Sequence, residues 1–271
     1  MNVAVTGAGH GIGKAIAERF ASAGARVAVG DIDAAAAETV AASLGDGALG
    51  VALDVTGRDA FDAFLTAAEE RHGELDVLVN NAGVDWIGPF HEEPDEVTRR
   101  EVDVNLMGTI TGTRLALRRM LPRRRGHIVN VASGVGRVPL PGSASYAATK
   151  HGVVGLTESL RLEYRKSGIR FSVIQPAQVE TAMLAGQGRS RLLPVVTPEE
   201  VAAATFDAVE RARFEVWVPR SQGASAKAGS MLPRRAREAV LRAIGVDRIA
   251  GETDMTVRRE YHERMFGSDG R

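Results

Sequence analysis

Tyr146 and Lys150 stand four residues apart, and twelve residues separate Ser133 from Tyr146. Positions i and i+4 of a helix share a face, so the spacing sets an ammonium beside a phenol. A free phenol titrates near pH 10, and a neighbouring cation favours phenolate, so Tyr146 is expected to exchange its proton nearer neutrality. Such a group serves as general acid or base. The Ser133 hydroxyl is suited to hold an oxygen on which charge develops. Tyr-x-x-x-Lys alone more often marks the edge of a half-buried helix. Ser133 at this separation, just past the β-rich run His127-Ile128-Val129-Asn130-Val131, makes the signal specific.

A second chemical feature lies at the start of the chain, where Thr6-Gly7-Ala8-Gly9-His10-Gly11-Ile12-Gly13 follows an apolar run. Glycines between a strand and a helix let backbone N–H groups approach a pyrophosphate at the positive end of the helix. An ordinary strand-to-helix turn is the plainer alternative, and glycines at the alternate positions 7, 9, 11 and 13 argue against it. Ile12 stands where the general G-x-G-x-x-G fingerprint has its third glycine. Asp31, eighteen residues after Gly13, is placed to accept hydrogen bonds from ribose hydroxyls, or with Asp33 to cap the next helix.

These residues need elements to carry them. Strands are expected near Asn2 to Thr6, Arg26 to Gly30, Ala48 to Leu53, Val77 to Asn80, His127 to Val131, Arg170 to Ile174 and Glu215 to Val218. Helices are expected at Gly11 to Ala23, Ala34 to Leu44, Asp59 to His72, Asp95 to Leu121, Ser145 to Lys166 and Pro198 to Ala212. Such alternation predicts an α/β fold with parallel strands and right-handed crossovers, whose ligands bind beyond the carboxyl ends of the strands. After Pro219 the alternation stops. Ser221 to Ser230 reads as a loop or linker, followed by two short helices near Pro233 to Ile244 and Met255 to Met265. The expected division is a single catalytic domain over 1–219 and an extension over 220–271.

The glycine run fits T-G-x-x-x-G-x-G, and with Ser133, Tyr146 and Lys150 the chain resembles the short-chain dehydrogenase/reductase family through about its first four-fifths. The resemblance implies a Rossmann-type doubly wound sheet of about seven parallel strands. It also implies an NAD-dependent oxidoreductase interconverting a secondary alcohol and a ketone, with a hydride passing to or from nicotinamide. Thr6, Gly7, Gly11, Ile12 and Gly13 would then cradle the cofactor, and Asp31 would bind the adenosine ribose and repel a 2′-phosphate, favouring NAD over NADP. Asp54 and Val55 resemble the adenine-binding pair. Asn81, Ala82 and Gly83, within Asn80-Asn81-Ala82-Gly83, match a signature whose amides brace the sheet and whose backbone lines the ribose. Asn105 resembles the fourth catalytic residue, which holds a water on a proton path from the lysine. Lys150 is expected to hold the nicotinamide ribose. Pro176, Val179 and Thr181 belong to a segment that addresses the carboxamide, with Ala177 where the family usually has glycine.

Acidic and basic residues balance at 34 each, which gives no reason to expect nucleic acid or an anionic membrane as partner. Cysteine is absent, which excludes disulfides and thiolate chemistry, and six scattered histidines show no metal spacing. With no leader or membrane span apparent, a cytoplasmic protein is expected. Val84, Trp86, Ile87, Val135, Val138, Leu140 and Pro141 suggest an apolar pocket, and Ala182 to Val196 suggests a lid containing Met183, Leu184, Arg189, Arg191, Leu192 and Leu193. The tail is open to three roles: substrate cover, subunit contact or membrane contact. Relatives in this family commonly form homodimers or homotetramers through helices matching Arg99 to Met120 and Ser145 to Lys166. A catalytically silent regulator of the same fold and a nucleotide-sugar epimerase are the competing readings. The intact Ser133, Tyr146 and Lys150 disfavour the first, and the glycine spacing disfavours the second.

Overall fold

The computed structural model describes residues 1–188, 194–246, 249 and 252–266. The expected lid residues Arg189, Arg191, Leu192 and Leu193 lie outside the described residues. The run Val3-Ala4-Val5 is buried on both faces, the pattern of a central parallel strand, and forms the middle of β1 (Asn2–Thr6). Around it stand β2 (Arg26–Asp31), β3 (Leu49–Ala52), β4 (Val77–Asn80), β5 (Gly126–Val131), β6 (Ile169–Pro176) and β9 (Glu215–Val218), with a short pair β7 (Gln178–Val179) and β8 (Val195–Val196) apart from them. The seven-stranded sheet is parallel throughout and runs β3-β2-β1-β4-β5-β6-β9. Its order reverses at β1, which pairs with β2 on one side and β4 on the other. That is the doubly wound Rossmann-type architecture, with its binding crevice beyond β1 and β4.

Alternate residues of each strand feed two cores. Val3 and Val5 pack with α1 (Gly11–Ser22), α2 (Ala34–Leu44) and α7 (Pro198–Glu210) through residues such as Ile16, Phe20, Val40 and Val201. Ala4, Leu78 and Ile128 face α3 (Arg58–His72) and α5 (Thr109–Met120) through Phe61, Leu65, Leu115 and Met120. On this second face Val153 and Val154 of α6 (Ala144–Glu163) pack against Ala132 and Val173.

Two elements differ from expectation. The expected helix from Asp95 to Leu121 is divided into α4 (Asp95–Glu101), a π-helical stretch Val102–Gly108, and α5. The widened turn accompanies a tertiary contact: Asn105 reaches the backbone of Val84, donating to its oxygen and accepting from its nitrogen, both at 2.8 Å. The expected loop Ser221 to Ser230 is instead helical, α8 (Arg220–Ser230). Its alanines favour helix, and the lack of a side chain at Gly223 lets the helix lie against Trp217, whose ring a Cβ there would meet at 2.6 Å. The remaining helices are α9 (Arg234–Ala243) and α10 (Met255–Phe266), close to where the sequence placed them.

Candidate active site

The phosphate end of the site is built by close approach of backbone. Gly7 has φ +61°, and a Cβ there would lie 2.7 Å from Ala82 Cα. At Gly13 an added Cβ would lie 2.1 Å from the Gly7 oxygen and 2.6 Å from Asn81 Nδ2, so no other residue fits without opening the turn. Thr6 Oγ1 accepts from the amides of Asn81 (3.0 Å) and Ala82 (3.1 Å), and Asn81 Nδ2 donates to the oxygens of Thr6 and Gly7. Asn80 Nδ2 donates to Asn130 Oδ1 at 2.9 Å, joining the buried ends of β4 and β5. The threonine, the asparagines and the glycines thus lock the reversal of strand order into one unit. This cradle, with the N-terminus of α1 behind it, suits a dinucleotide pyrophosphate.

Asp31 ends β2 and is buried, its carboxylate accepting from Gly9 N (2.8 Å) and Asp33 N (3.0 Å), while Asp33 caps α2 by accepting from Ala36 N. Of the two roles weighed from the sequence, helix capping falls to Asp33. Asp54 Oδ1 accepts from Thr56 N and Oγ1, and Arg100 stands 3.7 Å away. Partial burial works to raise the Asp54 pKa, but these bonds and the guanidinium hold it below the ordinary carboxylate value. Val55 beside it is buried and touches the position where a Gly108 side chain would stand. Thr181 comes to the glycine turn: its Cγ2 is 3.1 Å from where a Gly11 Cβ would be. Positive φ among described non-glycine residues occurs only at Arg124 and Ala212. Ala177 therefore occupies the family's usual glycine position without strain, its N–H donating to Val218 O at 2.8 Å. Pro176, Val179, Ile12 and Gly83 line the same cavity.

At the chemical end, Ser133 follows β5 and hydrogen bonds Tyr146 from α6, while Lys150 Nζ lies 5.6 Å from the Tyr146 ring centroid and donates to Val131 O at 3.1 Å. A Cβ on Gly83 would stand 3.2 Å from Asn105 Oδ1 and 3.4 Å from Lys150 Nζ, so the four expected catalytic residues converge. An acidified phenol is expected with both the ammonium and a positively charged nicotinamide beside it; in the chain alone the direction is the opposite. Burial, then the nearby Asp85 carboxylate, hold Tyr146 above its ordinary value; the Ser133 bond pulls the other way, and Glu101 adds to the rise. Desolvation likewise lowers Lys150 to about 8, against the pull of Asp85 and Glu101. In the chain alone, burial outweighs the ammonium. The Asn105 side chain is bound to Val84 and Thr149, and its backbone oxygen accepts from Thr109 Oγ1, so here it braces the loop after β4.

Several residues at the site carried no signal in the sequence. Arg258 of α10 is wholly buried and donates to the Asp85 carboxylate (2.5 Å), to the oxygens of Asp85 and Met183, and to His262 Nε2. Gln187 Nε2 donates to Asp85 Oδ2 at 2.8 Å, and the His262 ring stacks on Trp86. Burial raises the Asp85 pKa while Arg258 draws it back. Glu101, also fully buried, accepts from Trp86 N (2.6 Å) with one oxygen, and the other has no partner among the described residues. Desolvation raises its pKa to about 9. The tail is thereby clasped to the loop after β4, 173 positions away in sequence.

These elements enclose a cavity of about 550 Å³. Tyr146, Ser133 and Lys150 form its floor; Ile87, Val135, Val138 and Leu140 form walls; and Val240, Leu241, Ile244, Val246 and Ile249 of the tail form its roof. Val84 and Trp86 are buried outside it, and Pro139 rather than Pro141 borders it. Of the three roles open to the tail, α9 takes that of cavity cover.

A glycine-cradled crevice at the strand-order reversal, with serine, tyrosine and lysine at its edge, defines a nicotinamide-dependent oxidoreductase site. The family model described as short chain dehydrogenase matches residues 1–191, and the chain belongs to that family. It is 39% identical over 226 residues to cis-4-hydroxycyclohexanecarboxylate dehydrogenase of Sinomonas cyclohexanicum, covering 78% of this chain and 90% of that one. It is 38% identical over 218 residues to 3beta-hydroxysteroid dehydrogenase 1 of Eggerthella lenta, covering 74% and 84%. A short chain dehydrogenase/reductase from Burkholderia phymatum, solved in complex with NAD, superposes with TM-score 0.77 at 30% identity, covering 83% of this chain and 91% of that one. No described helix is long and apolar enough to cross a membrane, and no described cluster of acidic or histidine residues could hold a metal ion.

Proposed function

We propose that the protein interconverts a secondary alcohol and a ketone on an apolar small molecule, with Tyr146 as general acid and base. The convergence of Ser133, Tyr146, Lys150 and Asn105 at the floor of one apolar cavity carries this reading. When bound, a nicotinamide dinucleotide supplies the hydride acceptor or donor. The Ser133 hydroxyl holds the substrate oxygen, and Tyr146 Oη exchanges a proton with it. Lys150, held on Val131 O, keeps a positive charge beneath the phenol and would hold the nicotinamide ribose. Thr6, Gly7, Gly11, Ile12 and Gly13 bind the pyrophosphate end, Asp54, Val55, Asn81, Ala82 and Gly83 the adenosine, and Pro176, Val179 and Thr181 the carboxamide. Asp31 favours NAD over NADP: its buried carboxylate beside Gly9 repels a 2′-phosphate. Residues 1–219 form the catalytic unit, and the extension over 220–271 supplies the roof through its described residues Val240, Leu241, Ile244, Val246 and Ile249, which line the cavity. The relatives' cyclic alcohols, one of them a steroid, are in keeping with a wide apolar cavity.

Tyr146→Phe is expected to lower kcat by about two to four orders of magnitude while NADH binding persists, read by absorbance and by fluorescence titration. A variant that still turned over alcohols at the wild-type rate would refute the assignment, and a regulator would keep its effect on partners in that variant. The ratio of kcat/KM with NAD to that with NADP is expected to exceed one clearly; the reverse preference would overturn the role given to Asp31.

A further inference from the structure

We infer that the substrate carries a carboxylate at the end of its apolar body remote from the carbinol, and that Arg237 receives it. The inference rests on the proposed use of this cavity for alcohol and ketone exchange. Among the described residues, the charged side chains lining the cavity are Asp85, Arg137, Lys150 and Arg237. Asp85 is matched by Arg258, and Arg137 by Glu158 and Glu215. Lys150 belongs to the chemical end, its Nζ on Val131 O and under the field of Asp85. Arg237 forms no ion pair among the described residues, and its Nε is buried without a hydrogen-bond partner. A guanidinium N–H taken from water without an acceptor is unfavourable, so an acceptor brought by a ligand completes the site.

The helix that carries Arg237 shows what kind of molecule brings it. Arg237, Val240, Leu241 and Ile244 fall at i, i+3, i+4 and i+7, one stripe of α9 and its C-cap, and all four line the cavity. Arg234, by contrast, is paired with Glu238 on the exposed side. No residue of α9 is buried against the rest of the protein, and Val240 is 47% exposed although it borders the cavity. An apolar stripe turned toward a hollow is a surface for an apolar ligand. Seven residues of helix rise by roughly 10 Å, so the cation stands at one end of an extended greasy roof. A single guanidinium balances the single charge of a carboxylate, by a two-pronged hydrogen bond, and leaves a phosphate monoester partly unneutralised. The fitting class is hydrophobic hydroxy acids and keto acids, long or polycyclic.

The test uses the full chain with NADH present, so that a hydroxyl ligand binds without turnover. Secondary hydroxy fatty acids with increasing distance between hydroxyl and carboxylate are titrated by calorimetry, each beside its methyl ester and a phosphate ester of matched body. At the length that spans the cavity the acid is expected to bind about tenfold or more tighter than its ester. In Arg237→Leu that ratio falls toward one, and in Arg237→Lys part of it returns. Equal binding of acid and ester at every length, or a ratio that survives in Arg237→Leu, overturns the inference; tighter binding of the phosphate ester overturns the choice of carboxylate. Turnover of the same compounds with NAD is read separately. Acids that bind through Arg237 but are never oxidised would fail the reaction and keep the anion site, whereas turnover with no preference for acids would fail the anion site alone.

Discussion

Replacing Arg258 by Met removes a charge that nothing else in the cluster supplies. The side chain is fully buried and holds the Asp85 carboxylate, two backbone oxygens and His262. Taking one partner from a buried ion pair costs about 3–5 kcal/mol, because the other charge stays behind in a medium that solvates it poorly. Against that stands the rest of the tail's attachment. Val246, Ile249 and Tyr261 are buried, each worth roughly 1.5–3 kcal/mol, while ordering each backbone residue costs roughly 1–2 kcal/mol. The balance is narrow, so losing the clasp is expected to release α10 and leave the sheet folded. An energy of that size shifts the docking equilibrium by roughly two to four orders of magnitude. Hydrogen exchange read by mass spectrometry should show the amides of Met255–Phe266 losing protection by up to that factor, with β1, β4 and β5 unchanged. Adding Asp85→Leu to Arg258→Met removes the stranded carboxylate and should restore part of the protection. Full protection of α10 in the single variant would refute the reasoning, since the cluster would then contribute nothing to docking.

Glu101 gives a pH-dependent test. Its carboxyl keeps its proton up to about pH 9 in the folded chain, whereas an unfolded glutamate titrates near 4.3. Its contribution to stability is therefore whole below about pH 4.3 and is lost as the pH rises toward 9, by roughly 1.4 kcal/mol per pH unit for a full proton. Glu101→Gln should flatten that slope, making the variant relatively more stable at pH 8 than at pH 6 in urea melts; parallel curves would contradict the buried neutral acid. Gly13→Ala places a Cβ 2.1 Å from the Gly7 oxygen, and opening the turn is expected to weaken NADH binding by about five- to a hundredfold, for an overpacking cost of about 1–3 kcal/mol. Unchanged NADH affinity by fluorescence titration would show that the turn does not form the cradle.

Local pattern determined much of this protein. The apolar run Val3 to Val5, the β-rich run Ile128 to Val131, the glycines after Thr6, and the spacing of Tyr146 and Lys150 on one helix face all act over a few residues, where strand and helix periods govern geometry. The family pattern added Ser133 and the asparagines after β4, and the structure brings them together at the strand-order reversal. What tertiary structure alone decided is long-range and electrostatic. Asp85 and Arg258 are 173 positions apart, and neither is unusual in its own neighbourhood. The widened turn at Asn105 accompanies a bond to Val84, and α8 lies against Trp217 because Gly223 has no side chain there. The phenol of Tyr146 is held above its free value and not below it, because exclusion of water depends on how the whole chain closes over it. Spacing along a helix shows which groups are neighbours; only the packed interior sets the medium in which they interact.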